Sequence, residues 1–254
     1  KEGFAVYFLS LDTAAKTATA CVSVLDNAMV LKPLARAAVN ATLTHSESLL
    51  PMIDFCLENA GLSFADISVL AASVGPGSFT GVRIGAATAK GLAFSRPNLC
   101  CIGVSTLEAL AFNGAFLPSG RILLPVMDAR RNQFYHAFFK SCKNGVKRLT
   151  ADALLTYEEI VNSAKSRFPG KKITLIGDGA EAFYALFCKQ APDIDFTLGG
   201  QEMLYEDAFS VARCAAGLYP QAAAHPESFT AAVFNPVYLR ASQAERERAA
   251  KDNA

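Results

Sequence analysis

Short apolar runs alternate along this chain with longer segments in which apolar residues recur every three or four positions. Phe4 to Leu11 and Thr17 to Leu25 are β-leaning runs separated by Asp12-Thr13, and they predict a hairpin. Val30 to Leu43 follows the turn residues Asp26-Asn27 and predicts a third strand, against the pull of its many alanines. Thr44 and Glu47 then form a capping-box pair ahead of an apolar stripe of Leu49, Leu50, Ile53, Cys56, Leu57 and Ala60, with Gly61 as the stop. Pro51 conflicts with a helix running unbroken from Thr44, so the helix is expected to begin nearer Ser48 or to bend there.

Ile67 to Val74 has the composition of a buried central strand and leads into Gly75-Pro76-Gly77-Ser78-Phe79-Thr80-Gly81-Val82-Arg83. A helix is predicted from there to about Phe94, and on it Gly81, Gly85, Ala89 and Ala93 recur every four residues as a stripe almost without bulk. Cys100 to Val104 predicts a strand, and Ser105 with Glu108 a capped helix. Ile122 to Met127 ends in Asp128-Ala129-Arg130-Arg131 and is answered by a strand from Gln133 to Phe139, which repeats the opening theme of a strand, an aspartate, a turn and a returning strand. A helix from Thr156 to Phe168 capped by Glu159, a strand from Ile173 to Ile176 ending at Gly177-Asp178-Gly179-Ala180, and a helix from Glu181 to Lys189 follow. Glu206 to Leu218 reads as a helix closed by Pro220, and Pro236 to Arg240 as a compact segment before a charged, frayed tail. Alternating strands and helices with hairpins at the head of each half indicate an α/β protein of two lobes with mixed sheets, divided near Ser105.

With 254 residues, 52% of them hydrophobic, the chain can bury one large core or two smaller ones. Lys and Arg total 24 against 23 Asp and Glu, which leaves no field strong enough to collect a polyanion unaided. No apolar run reaches the roughly 20 residues of a membrane span, and Lys1-Glu2-Gly3-Phe4 lacks the pattern of a signal peptide, so a cytoplasmic protein is expected. Seven scattered cysteines without a Cys-x-x-Cys pair are read as reduced core thiols.

Asp12 and Asp128, each at a strand end, have the chemistry to hold a hydrated metal and a phosphate, or merely to cap a turn; the first loop, Asp12-Thr13-Ala14-Ala15-Lys16, has no glycine to let amides approach a phosphate. Gly75 to Gly81 precedes a helix but lacks the Gly-Lys-Ser/Thr ending of a P-loop. His45 has no second histidine one turn away, since positions 41 and 49 are Ala and Leu, so a metal centre is not expected. Ser78 and Cys100-Cys101 lie in no nucleophile elbow, which removes covalent hydrolysis.

Taken in order, Leu11-Asp12-Thr13, His45-Ser46-Glu47-Ser48-Leu49-Leu50-Pro51, the Gly75 to Arg83 stretch with Gly85, Asp128-Ala129-Arg130-Arg131, Gly177-Asp178-Gly179-Ala180 and Pro236-Val237-Tyr238-Leu239-Arg240 resemble the TsaB family, also called YeaZ. The glycine-rich stretch is the most specific part. The resemblance implies the actin-like ATPase (ASKHA) superfold, with residues 1–105 as a partner-binding lobe, 106–240 as the second lobe and 241–254 as the tail. It also implies a non-catalytic scaffold that pairs with a TsaD-type subunit, joined by a TsaE-type ATPase, to move threonylcarbamoyl from its adenylate to N6 of adenosine 37 in tRNAs reading codons that begin with A. TsaD-like chains carry a His-x-x-x-His metal pair where this one has Ala41 and His45, which fits an inactive sister subunit that meets tRNA indirectly.

On this resemblance Ser48, Met52, Gly81, Gly85 and Ala89 are expected to form the partner surface, against the alternative that both helices pack onto their own sheet. The same face would pair two copies in isolation, and Gly85→Leu would break the complex while leaving the monomer folded. No cofactor of its own is implied, beyond ATP or ADP with magnesium at a composite site, for which Asp12, Thr13, Asp128, Gly177 and Gly179 are the nucleotide candidates. A free-standing ATPase or small-molecule kinase of the same superfold is the main rival, and a glycoprotease a poorer one.

Overall fold

Side-chain alternation builds the first sheet from the inside out. The structure is a computed structural model that describes residues 5–40, 44–143, 145–190 and 193–240. In β1 (Val6–Asp12), Val6 and Phe8 point into one apolar cluster and Leu9 and Leu11 into another on the opposite face. It is flanked by antiparallel β2 (Ala18–Leu25), which pairs in turn with β3 (Leu31–Val39), an edge strand two residues shorter at its start and end taken together than its described part was expected to be. Leu43 and Phe4, at the ends of the expected strands, and the tail 241–254 lie outside the described residues.

The helix α1 (His45–Ala60) starts at His45, not nearer Ser48, because the Thr44 and Glu47 box fixes its first turn, and Gly61 closes it in the left-handed conformation at φ 67°. Pro51 sits inside it. Leu50, expected on the inner stripe, is exposed, and Met52 takes the inner place. After β4 (Val69–Ser73), α2 (Phe79–Phe94) lies beside α1 on the same sheet face, and β5 (Cys100–Val104) completes the order β3-β2-β1-β4-β5. From β1 outward, β4 and β5 run parallel and β2 and β3 antiparallel.

The chain then passes through α3 (Thr106–Asn113). Ser105 caps it, but Glu108 does not close the expected box; its carboxylate pairs instead with Arg148 at 2.9 Å. The second sheet centres on β6 (Ile122–Asp128), with β7 (Gln133–His136) and β8 (Phe139–Cys142) antiparallel to it. The single strand expected from Gln133 to Phe139 is interrupted at Ala137-Phe138, between the pairs Val126–His136 and Leu123–Phe139. Pro125, which has no N–H to offer, lies in the matching gap of β6. Next come β9 (Gly145–Arg148), β10 (Ala153–Thr156), the boxed helix α4 (Tyr157–Arg167), β11 (Lys172–Ile176), α5 (Ala180–Gln190) and β12 (Asp195–Leu198). The main path β10-β7-β6-β11-β12 has the same antiparallel and parallel sense as the first sheet, so the theme seen at Leu9 to Val24 and Leu123 to Phe139 is a duplicated plan.

Finally α6 (Ala208–Ala224) returns to the first lobe, where Val211, Cys214 and Ala215 cover the face bearing Val6 and Phe8. Residues 106–240 therefore do not form the second lobe alone: this helix and Phe234 pack onto the first sheet. Pro220 does not end α6 at Leu218. It removes one hydrogen bond, yet the last turn is held because Ala222 is buried in the same cluster.

The low-bulk stripe of α2 faces inward. A Cβ on Gly81 would overlap the Thr13 carbonyl oxygen, one on Gly77 would overlap that of Ala14, and one on Gly85 would come within 2.5 Å of Thr13 Oγ1. Gly91, on the outward side, has nothing within 4 Å of where its Cβ would stand. Gly81→Ala is expected to lower stability by about 3 kcal/mol or more, since backbone must move to admit the methyl. Gly91→Ala should raise it by roughly 0.5–1 kcal/mol through helix propensity. Urea unfolding of both variants checks the pair.

Candidate functional site

The two acid-ended strands, β1 and β6, bring their turns together across a cleft of about 840 Å³ between the lobes. Lys16, Arg83, Arg130 and Arg240 supply cations to its walls, Asp128 and Asp178 supply carboxylates, and Phe79, Tyr135 and Tyr238 supply rings. Each lobe contributes the same pair of parts. The parallel strand beside the acid-ended one ends in a glycine turn, Gly75 to Gly77 after β4 and Gly177 to Gly179 after β11.

These glycines serve close packing. Ser78 N–H donates to the Ala14 carbonyl at 2.6 Å, the Ser78 hydroxyl accepts from Gly81 N–H, and Thr13 Oγ1 donates to the Gly81 carbonyl at 2.8 Å. In the first loop Ala14 N–H is held by Asp12 Oδ1 at 2.8 Å, and His45 Nε2 lies 2.8 Å from the Ala15 carbonyl. The Ser78 and Ala14 amides are thus satisfied by the chain itself and are not free to receive a phosphate. In the second lobe Gly177, at φ 96°, donates to the Met203 carbonyl, and a Cβ on Gly179 would come within 2.7 Å of Asp128 N. Asp128 is exposed and its Oδ1 accepts from Arg130 N–H at 2.7 Å.

Beneath the cleft lie the buried acids Asp12 and Glu206, beside the half-buried Asp178 of its wall. Asp12 is 1% exposed, and burial pushes its carboxyl up to about 6 against the pull of the Ala14 amide. Asp178 is pushed up to about 6 by burial, with the Lys16 ammonium opposing. Glu206, 4% exposed and placed just before the cap of α6, has neither carboxylate oxygen hydrogen-bonded; burial, then the charges of Asp178 and Asp12, raise its carboxyl well above the usual range. Asp12 Oδ2 and Asp178 Oδ1 are also without partners. Among the described residues no three His, Cys, Asp or Glu side chains are placed to hold a metal ion directly. Ala41 lies outside those residues.

The structure scatters the expected partner residues within the chain's own packing. Ser48, Met52, Gly81, Gly85 and Ala89 are all buried, Met52 and Ala89 in the core cluster between α1, α2 and the sheet. They cannot form an outer docking face in this conformation, and Gly85→Leu would strike Thr13 rather than a partner. Of the nucleotide candidates, Asp128 reaches the cleft, while Asp12, Thr13, Gly177 and Gly179 are packing residues behind it. Lys16, Asp178, Tyr238 and Arg240 were not assigned to a site by the sequence reading. The glycine turn shared by both halves is the signal that points to Asp178; nothing in periodicity points to Glu206.

Two like-built lobes with strand order 3-2-1-4-5, closing on a cleft, define an actin-like protein of the ATPase superfold. A family model described as TsaD, tRNA N6-adenosine threonylcarbamoyltransferase, matches residues 39–248. The tRNA threonylcarbamoyladenosine biosynthesis protein TsaB of Escherichia coli K12 is 38% identical over 140 residues, 55% of this chain and 59% of that protein. Its namesake in Haemophilus influenzae is 44% identical over 95 residues, 37% of this chain and 40% of that protein. The chain thus aligns with about half the length of these curated relatives. YeaZ from Pseudomonas aeruginosa superposes on 92% of this chain and 100% of its own with a TM-score of 0.71 at 24% identity, a likeness of fold. The chain belongs to the TsaD-type family. No helix among the described residues is long and apolar enough to cross a membrane.

Glu206 gives a pH test. Its folded-state carboxyl titrates above its unfolded value of 4.5, so the native state holds a proton that the unfolded chain has released, and stability falls as pH rises from the unfolded toward the folded pKa. Glu206→Gln is expected to raise the stability measured by urea unfolding near pH 8 by more than about 1 kcal/mol, with a smaller gain near pH 5. A gain independent of pH would remove the buried-acid account.

Proposed function

We propose that this chain is a non-catalytic subunit of the machinery that transfers threonylcarbamoyl to N6 of adenosine 37 in tRNA, docking onto a TsaD-type catalytic subunit. The observation that carries the reading is the state of the cleft: the Ser78 amide closes onto the Ala14 carbonyl and the Ala14 amide onto Asp12, so neither is turned outward to receive a phosphate. Chemistry at this cleft by the chain alone is disfavoured on that ground. Within the reading, ATP or ADP with magnesium belongs to a composite site to which the partner brings the phosphate-binding groups, a TsaE-type ATPase joins through the complex, and tRNAs reading codons that begin with A are met indirectly.

The docking face follows from correcting the direction of the α2 stripe. Outward from the buried Gly81, Gly85 and Ala89, the exposed positions of α2 include Thr80, Arg83, Ala87, Gly91 and Phe94, and those of α1 include Leu50 and Phe55. Phe94 is 88% exposed, and Ala87 and Gly91 leave a shallow, low-bulk strip on which another helix can lie close. The same face serves a second copy of the chain when the partner is absent, because the two subunits share a superfold.

Ala87→Arg, on the exposed side of α2, is expected to leave the melting temperature of the isolated chain unchanged and to abolish co-elution with a purified TsaD-type subunit in size-exclusion chromatography. A complex that survives both Ala87→Arg and Phe94→Asp would exclude this face.

A further inference from the structure

Residues 236–240 leave the first lobe, cross the mouth of the cleft and end on the second. At the first anchor Val237 N–H donates to the Val74 carbonyl at 2.7 Å, and the Val237 carbonyl oxygen fills the place of the missing Gly75 side chain, 2.5 Å from where a Cβ would stand. Tyr238 is fastened one step on. Its hydroxyl accepts from Arg83 Nε at 2.7 Å, its ring lies 5.0 Å from Phe79, and the Arg83 guanidinium stacks 3.8 Å above Phe79. At the second anchor Arg240 Nη1 donates to the Ala129 carbonyl at 2.6 Å and Nη2 to Gln133 Oε1.

The second anchor falls on a strained element. Arg130, Arg131 and Asn132 follow one another with φ of 62°, 56° and 57°, a run that side chains with a Cβ rarely adopt and that persists only where its surroundings over-determine it. Arg240 grips the residues on either side of that run, Ala129 and Gln133, with two charge-assisted bonds whose fork geometry sets their separation. The acceptors are neutral, and no carboxylate of the described residues pairs with Arg240 or Arg83, so both guanidinium groups are committed to the crossing segment and its seats.

We infer that residues 236–240 are a strap that sets how far the cleft opens, by tying the glycine loop and first turn of α2 to the β6–β7 hairpin. The strap makes the two walls one mechanical unit. Slack at either anchor frees both walls, and a ligand or partner that lifts Tyr238 also releases the strained hairpin across the cleft. The inference stands on contacts within the chain and is independent of what the chain docks to.

Amide hydrogen exchange on the full chain tests it. Arg240→Ala touches only the second lobe directly, yet the strap requires about tenfold faster exchange at Val237, Ser78 and Val82 in the first lobe, the loss expected when one bonded contact holding them goes slack. Tyr238→Ala must do the converse at the Ala129 and Gln133 amides of the hairpin. Amides of β4 and β11, inside the two sheets, should keep their wild-type rates and so report that the fold is intact. Should Arg240→Ala prove too unstable, Gln133→Ala removes a single acceptor and carries the same expectation at reduced size. Effects confined in every variant to the lobe that carries the lost anchor would overturn the strap.

Discussion

The close contact of the β1–β2 turn with the start of α2 governs the rest of this structure. Thr13 and Ala14 carbonyl oxygens lie where side chains on Gly81 and Gly77 would be, and Ser78 N–H closes onto Ala14. Only a chain without side chains at those points can be pressed so tightly. The contact settles which way α2 is rotated, so Gly81, Gly85 and Ala89 face inward and Ala87, Gly91 and Phe94 face outward. It also uses the Ser78 amide at the head of the cleft. A single packing choice thereby fixes both the Ser78 amide and the side of α2 turned to solvent.

The duplicated sheet plan places a second, looser version of the same arrangement opposite the first. Gly179 is pressed against Asp128 as Gly77 is against Ala14, but Asp128 stays exposed while Asp12 is buried. The two halves have diverged in solvation more than in shape. Burial of Asp12, Asp178 and Glu206 without full sets of partners concentrates an electrostatic cost where the lobes meet, which is the region where the chain passes from the second lobe back to α6 of the first.

Much of the fold was legible because its signals are local. The Thr44/Glu47 and Thr156/Glu159 boxes mark helix starts to the residue, and apolar runs locate β1, β2, β4, β5 and β11. Where a local rule met a tertiary contact, the contact won: Pro220 lies within α6 because Ala222 beyond it is buried, and Pro125 in one strand interrupts the pairing of another. The site was less legible for a related reason. Periodicity puts Gly81, Gly85 and Ala89 on one face but does not say whether that face meets the chain's own turn or a partner. Arg240 lies more than a hundred residues from the hairpin it holds, and Glu206 interrupts no pattern.

The central claim is that the transfer chemistry belongs to a partner which this chain must hold. Reconstitution of tRNA with purified TsaD-type and TsaE-type subunits, ATP and a threonylcarbamoyl-adenylate source, with and without this chain, measures it directly. Modified adenosine should form in the full mixture, fall to background when this chain is omitted, and be absent when it is supplied alone. Product formed at the full rate without it, or by this chain alone, would contradict the account.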